Sequence, residues 1–494
     1  MKDMENFRLL IDGKFCDAEG GAKFESIDPS TEEVWALMPR ASSSDVDRAV
    51  KAGWRAFHEG EWPALTASAR GKLLHKLADL VSRDAPLLAE LETQDTGKII
   101  RETRAQIGYV AEYYRYFAGL ADKIEGAVLP IDKPNMEVFT RREPIGVVAA
   151  IVPWNSQLFL SAVKLGPALA AGNCVVLKAS EDGPAPLLHF AKLILEAGFP
   201  SGVVNILTGF GEDCGATLAS HPLVSRVAFT GGPATARQIV RHTANNFAIT
   251  TLELGGKSPV IVFPDTDLDS AANAIVAGIF AASGQSCVAG SRLLAHDSIR
   301  DPLLHRLAQR APQIRIGSPL DPATEMGPLA TARQKSHAGK LVEESIALGA
   351  VLVTGGGAPP GHDKGYYFAP TILAAPHANM PCMQQEFFAP VLSVLSFSDE
   401  RQAVDIANGT DYGFAAGVFT KNLAAAHRMA KRLRAGIVWI NTYRAVSPLA
   451  PFGGFGATGN GREAGMDAIW DYTRTKTIWI NTSETPIDDP FIMR

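Results

Sequence analysis

"IGVVAAIVPW", residues 145–154, is an apolar run of strand length with no alternation of polar and apolar positions. A strand with one wet face alternates; a strand covered on both faces reads as an unbroken run of Val, Ile and Ala. The pattern recurs downstream with stretches of helical length between: "LFLSAVKLGPALAAG" (158–172), "NCVVLKAS" (173–180), "PLLHFAKLILEAGF" (186–199) and "VVNILTG" (203–209). Buried strands alternating with helices predict a doubly wound α/β layer.

Working outward, the alternation resumes with "SPVIVF" (258–263), a helix through "DLDSAANAIVAGIFAAS" (267–283), "SRLLAH" (291–296), "VLVTGG" (351–356) and "VLSVLSF" (391–397). The fold class read here is therefore α/β, with two doubly wound domains in series, the first Rossmann-like. Residues 1–121 and 145–254 form the first and 255–473 the second. In the N-terminal part, "SSDVDRAVKAGWRAF" (43–57) predicts a helix with Ser44 and Asp47 as capping box and Val46, Val50, Trp54 and Phe57 along one face. Residues 122–144 and 474–494 carry strand-like runs and prolines with no helix after them, and they are expected to pair as a small β oligomerisation element.

A net charge of −5 leaves no basic field for nucleic acid. The N-terminus has acidic residues where a signal peptide has a basic head, and no apolar run approaches the roughly 20 residues of a membrane span. The five cysteines include no C-x-x-C pair and read as reduced thiols of a cytoplasmic protein. There is no H-E-x-x-H, so no metal is expected.

Four stretches carry candidate chemistry. In "GQSCVAGSR" (284–292), Cys287 sits among small residues that leave its sulfur accessible; a thiolate there is a nucleophile, while a thiol there is also a small core side chain. In "PWN" (153–155), Asn155 follows a buried strand, where its amide either donates to a developing oxyanion or simply turns the chain. Glu253 of "ELGGKSP" (253–259) is a general base for water or a surface carboxylate before a turn. "ILTGFGEDCG" (206–215) places Gly209, Gly211 and Gly215 after a strand, one residue longer than the usual dinucleotide fingerprint.

Taken with "LKASE" (177–181), "FTGG" (229–232), "QEFFAPVLSV" (385–394) and "PFGGFGATGNGREAG" (451–465), in this order and with 34 residues from Glu253 to Cys287, the chain resembles the NAD(P)-dependent aldehyde dehydrogenase superfamily, in its non-acylating, hydrolytic branch. The resemblance implies that the first domain is the cofactor domain and the second the catalytic one, and that Cys287 attacks an aldehyde as a thiolate. Asn155 and the Cys287 backbone N–H hold the oxyanion, and Glu253 activates the water that hydrolyses the thioester. It further implies cofactor contacts from Trp154, Lys178, Glu181, Gly211, Phe229, Gly231, Gly232, Leu254, Glu386 and Phe388. The carboxylate of Glu181 favours NAD over NADP, with Lys178 leaving NADP open.

Gly232, Pro233 and Ala236 depart from the family pattern after Gly231, as do Gln385 and Ala389 beside Glu386. The substrate wall implied by resemblance comprises Ser156, Phe159, Val163, Ser286, Val288, Arg444, Val446 and Phe452. Ser156 and Val163 stand where bulkier residues are common, which predicts a wider and more polar pocket. Arg444 is read as a partner for a distal carboxylate, so the substrate is expected to be a polar or carboxylated aldehyde, a semialdehyde. The protein is expected to be a homodimer or homotetramer with no nucleic-acid or membrane partner. The competing readings are a cysteine-dependent thioester or amide hydrolase, against which no histidine lies in the matched motifs, and a non-catalytic binding protein, against which Cys287, Asn155 and Glu253 are all present.

Overall fold

A computed structural model describes residues 5–487 and 489–492. Residues 1–4 of the segment 1–121, and 488, 493 and 494 of the segment 474–494, lie outside the described residues.

The unbroken apolar runs form the middle of a parallel sheet. Val147–Ile151, Cys174–Ala179 and Val204–Thr208 are buried along their whole length. With Val224–Thr230 and Ile249–Glu253 they lie in the spatial order 249, 224, 147, 174, 204, all parallel. The chain thus winds outward from Val147–Ile151 in one direction and restarts beside it at Val224–Thr230. This is a topological switch point, where the carboxyl ends of the strands open a crevice. Covering both faces with helices buries whole side chains such as Val175, Leu177 and Ile206, each worth about 1.5–3 kcal/mol. Leu9–Ile11 and Lys14–Cys16 extend one edge, and Gly459–Asn460 pairs antiparallel with Ile249–Glu253 at the other.

The first helix runs Ser43–His58, with Val46 and Val50 fully buried. Its capping box lies two residues before the expected pair: Asp45 N–H donates to Ser42 Oγ, and the Asp45 carboxylate accepts from Ser42 N–H at 2.8 Å. Asp45 wins because its buried carboxylate also takes the Glu19 N–H and the Arg48 guanidinium. Asp47 instead pairs with Lys51 and His221 on the surface of the helix.

The second sheet orders its strands as Val351–Thr354, Thr371–Ala374, Val391–Phe397, Arg292–His296, Pro259–Val262, Ala415–Phe419 and Ile437–Ile440, with only Val351–Thr354 antiparallel. The helix before Arg292–His296 begins at the Asp267 cap and ends at Phe280, short of the residue 283 to which the sequence extends it. Ala281–Gly284 then turns with three successive positive φ angles: Ala282 at 52°, Ser283 at 53° and Gly284 at 71°.

Met136–Pro144 and Thr473–Asn481 pair antiparallel as a separate ribbon, which leaves Trp479 56% exposed. Among the described residues no helix is long and apolar enough to cross a membrane.

Candidate active site

Residues that follow the strands 147–151, 224–230 and 249–253 meet residues that precede the strands 292–296 and 391–397, and between them lies a cavity of about 660 Å³. It therefore opens at the switch point of the first sheet. Trp154, Asn155, Gly231, Gly232 and Leu254 line it from the first sheet, and Ser286, Cys287, Val288, Glu386 and Phe388 from the second. Ser156 and Phe159 complete one wall, and Arg444, Val446 and Phe452 another.

Cys287 is only partly buried, whereas Cys174, Cys214 and Cys382 are buried. Desolvation, then the charges of Glu253 and Glu386, push its thiol up to about 12, while the backbone N–H groups of Val288 and Cys287 itself pull the other way. Those amides mark where negative charge is stabilised beside the sulfur. The Asn155 amide donates one hydrogen to the Gln285 carbonyl at 3.0 Å, which fixes its plane beside the cysteine loop.

That loop is held under strain. Alanine and serine in the left-handed region cost of order 1–3 kcal/mol each, so other contacts must impose the turn. Ala282 N–H donates to both Glu102 oxygens, at 2.9 and 3.1 Å, and Ser283 Oγ donates to the Gly327 carbonyl at 2.8 Å.

Glu253 ends its strand in register with Thr230, but its carboxylate is directed away from the cavity wall, toward Gly453. A Cβ at Gly453 would lie 2.6 Å from Glu253 Oε1, and the backbone there has φ 151°, which favours glycine. Among the described residues neither carboxyl oxygen has a hydrogen-bond partner. Burial and then the charge of Glu463 hold its pKa well above the usual carboxylate range, with Lys164 and Arg462 opposing. Lys164 binds Thr230 Oγ1 at 2.7 Å and pairs with Glu463, so a buried ion pair adjoins the unpartnered acid.

Glu386 accepts from the Gly256 N–H at 3.0 Å, and burial pushes it up to about 7. A Cβ on Gly255 would come within 2.0 Å of its Oε2, so the glycine pair of "ELGGKSP" is what lets this carboxylate reach the cavity. Phe388 and Trp154 meet edge to face at 5.4 Å.

Lys178, Glu181, Gly211, Phe229 and Val163 lie off this wall. Lys178 is buried and donates to the Ala179 carbonyl and to Glu181 at 3.2 Å, at the end of a neighbouring strand. Gly211 opens a short turn, Gly211–Gly215, after Val204–Thr208, and Phe229 lies within Val224–Thr230. Val163 packs in the core one turn beyond Phe159, and Leu160 faces the cavity in its place. Arg444 stands at the wall with φ 64° and donates to the Ala277 carbonyl at 3.1 Å.

Sequence reasoning missed one face of the helix Ile100–Leu120. Glu102, Gln106 and Tyr109 line the cavity, together with Lys98 just before the helix. Their spacing of four and three residues puts them on one stripe, the signal that a polar helix face leaves in a sequence.

Switch-point crevice, open glycine positions and an acceptor carboxylate are what a dinucleotide requires, so the residues present fit one. Comparison with known proteins agrees. Residues 15–478 match the model of the aldehyde dehydrogenase family. A curated relative from Acinetobacter baylyi, (Z)-2-((N-methylformamido)methylene)-5-hydroxybutyrolactone dehydrogenase, is 61% identical over 99% of this chain and 100% of its own. The crystal structure of PnpE from Pseudomonas sp. WBC-3 superposes with a TM-score of 0.95 at 43% identity, covering 99% of this chain and 100% of that one. The NAD+ complex of an aldehyde dehydrogenase from Bacillus cereus superposes with a TM-score of 0.95 at 40% identity over 97% of both chains.

Proposed function

The chain belongs to the aldehyde dehydrogenase family, and from that premise we propose that it oxidises a polar semialdehyde to the dicarboxylic acid with NAD, by the hydrolytic rather than the acylating route. The observation that carries this reading is the meeting of Cys287, the Asn155 amide and Glu386 on one cavity at the switch point of a parallel sheet.

Cys287 Sγ bonds to the aldehyde carbon. The resulting oxyanion accepts from the second Asn155 Nδ2 hydrogen and from the Cys287 backbone N–H, donors already fixed in place before charge develops. A nicotinamide bound beside Trp154 and Phe388 supplies the hydride acceptor. The thioester left on Cys287 is attacked by water, whose proton passes to Glu253 once that side chain swings to the wall; the same donors hold the second oxyanion, and the thiolate leaves. Glu386 accepts from the nicotinamide ribose. Lys178 and Glu181, with Gly211, Phe229, Gly231, Gly232 and Leu254, serve the rest of the dinucleotide. Glu181 accepts from ribose hydroxyls and repels a 2′-phosphate, which favours NAD over NADP.

The substrate class draws on the Acinetobacter relative, whose name carries a 5-hydroxybutyrolactone. Such a ring is the closed form of a 4-oxo acid, a semialdehyde. Arg444, with donors left beyond its bond to Ala277, pairs with the carboxylate at the mouth of the cavity. Arg444→Met is expected to lower kcat/KM for a semialdehyde about tenfold relative to the neutral aldehyde of equal length; an unchanged ratio removes Arg444 from the substrate. The same family reading makes the ribbon of Met136–Pro144 and Thr473–Asn481 an oligomerisation element of a homodimer or homotetramer, with Trp479 covered between subunits.

Initial rates of reduced-nicotinamide formation with NAD and NADP, over paired neutral aldehydes and semialdehydes, test the whole reading. NAD turnover favouring the carboxylated partner is expected; turnover that requires coenzyme A as acyl acceptor overturns the hydrolytic route. Both Cys287 and Glu253 act deprotonated and both are raised, so activity is lost as pH falls below those raised values. Between about pH 6 and 8, kcat/KM, which reports the steps up to hydride transfer, should climb by up to about tenfold per unit, and a flat profile contradicts a thiolate nucleophile at Cys287.

A further inference from the structure

The polar wall contributed by Lys98, Gln106 and Ser156 has a role of its own. Lys98 is 8% exposed, and its ammonium donates to Glu92 Oε1 at 3.2 Å, Gln106 Oε1 at 2.8 Å and Ser156 Oγ at 2.8 Å. An ammonium has three hydrogens and no acceptor, so all three are used and the Gln106 oxygen must be the atom that faces it. This fixes the amide. Gln106 Nε2 then donates one hydrogen to Ser156 Oγ at 3.1 Å, and no hydrogen bond among the described residues takes the other. Ser156 Oγ spends its own hydrogen on the Asn155 carbonyl at 2.6 Å. The one unused donor of the network therefore belongs to Gln106, on the cavity wall, and is tied through Ser156 to the residue that carries the candidate oxyanion amide.

The charge of this wall selects what that donor can meet. Lys98 is balanced by Glu92, which is 1% exposed, and Glu102 adds a second carboxylate on the same helix stripe as Gln106. The wall is thus not cationic, and an anionic group gains nothing there. A neutral carbonyl oxygen does, because it accepts a hydrogen bond without bringing a charge against Glu102.

We propose that Gln106, held by Lys98 and Ser156, is a specificity-determining residue that donates from Nε2 to a neutral amide- or ester-type carbonyl oxygen of the substrate, a few bonds from the aldehyde. The inference rests on the reading that aldehydes react at Cys287 in this cavity. It adds a second polar handle to the carboxylate at the mouth.

The test pairs 3-acetamidopropanal with 5-methylhexanal, an all-carbon analogue of matching length and branching, with NAD as acceptor. The wild type is expected to favour the amide. In Gln106→Leu the ratio of kcat/KM values, amide over hydrocarbon, should drop about tenfold or more, since the carbonyl loses the Nε2 donor. Gln106→Glu keeps an oxygen for Lys98 but removes the N–H donor, and it should lose the preference as well. It decides the matter if the leucine variant does not fold. Equal losses on both aldehydes in these variants, with the ratio kept, would mean a merely structural role and overturn the assignment. A wild type that oxidises neither aldehyde, nor any aldehyde of the wider panel, overturns the parent reading and this inference together. Oxidation of both aldehydes with a ratio insensitive to position 106 overturns only the inference.

Discussion

Cys287→Ser is expected to lower the rate of reduced-nicotinamide formation by roughly 10⁴-fold or more, with the melting temperature close to that of the parent. The exchange is nearly isosteric and the side chain is only partly buried, so packing has little to lose. The chemistry loses at both steps. A hydroxyl is far harder to ionise than a thiol already burdened by burial, and an ester formed on serine is a poorer acyl donor to water than a thioester. Dinucleotide binding should survive, because Glu386 and the glycines that admit it are untouched. Residual activity within about tenfold of the parent would mean that another group is the nucleophile, and among the described residues the cavity holds no second thiol.

The second large effect belongs to Glu253→Gln, with steady-state turnover falling about 10²–10⁴-fold and a distinct kinetic shape. Acylation draws on Cys287, Asn155 and the hydride acceptor, so one equivalent of reduced nicotinamide per active site should appear quickly. Hydrolysis then stalls for want of a base, and the thioester should be visible as an added acyl mass on the protein. The environment supports this split: the carboxyl group is buried, lacks any hydrogen-bond partner among the described residues and is raised by desolvation, as suits a base that exchanges protons rather than one that holds a fixed charge. Slow turnover without a burst would place Glu253 before the thioester instead of after it.

The sequence was most legible where burial is symmetrical. The runs at 147–151, 174–179 and 204–208 announce themselves because a strand covered on both faces cannot carry polar residues. Motif order named the cysteine, the asparagine and both glutamates as candidates; Cys287, Asn155 and Glu386 line the cavity, and Glu253 is turned away from its wall. What stayed hidden depends on tertiary context. "SSSDVD" offers overlapping capping boxes, and only the contacts of Asp45 with Glu19 and Arg48 decide between them. Nothing in "AASG" signals a left-handed turn at Ala282 and Ser283, because the turn is imposed by Glu102 and Gly327 from elsewhere in the chain. The stripe Glu102, Gln106, Tyr109 reads as a solvated helix face, and only its position over a cavity gives it meaning. Lys164 and Glu463 pair across 299 residues, beyond the reach of any local pattern.

The Gly459–Asn460 strand carries a further consequence, for how the molecule comes off the ribosome. The strand that ends in Glu253 is bordered by this late segment: Leu254 N–H donates to the Thr458 carbonyl at 2.8 Å, and Gly453 packs against the carboxylate itself. At about 5–20 residues per second, a nascent chain carries its cysteine, asparagine and glutamate for roughly ten to forty seconds before these partners emerge. During that interval the edge of the first sheet is unpaired and the Glu253 carboxyl group has no housing. On the proposed reading, competence thus waits for residues 453–460, and the growing polypeptide keeps its thiol idle until the segment that seats the glutamate has been translated.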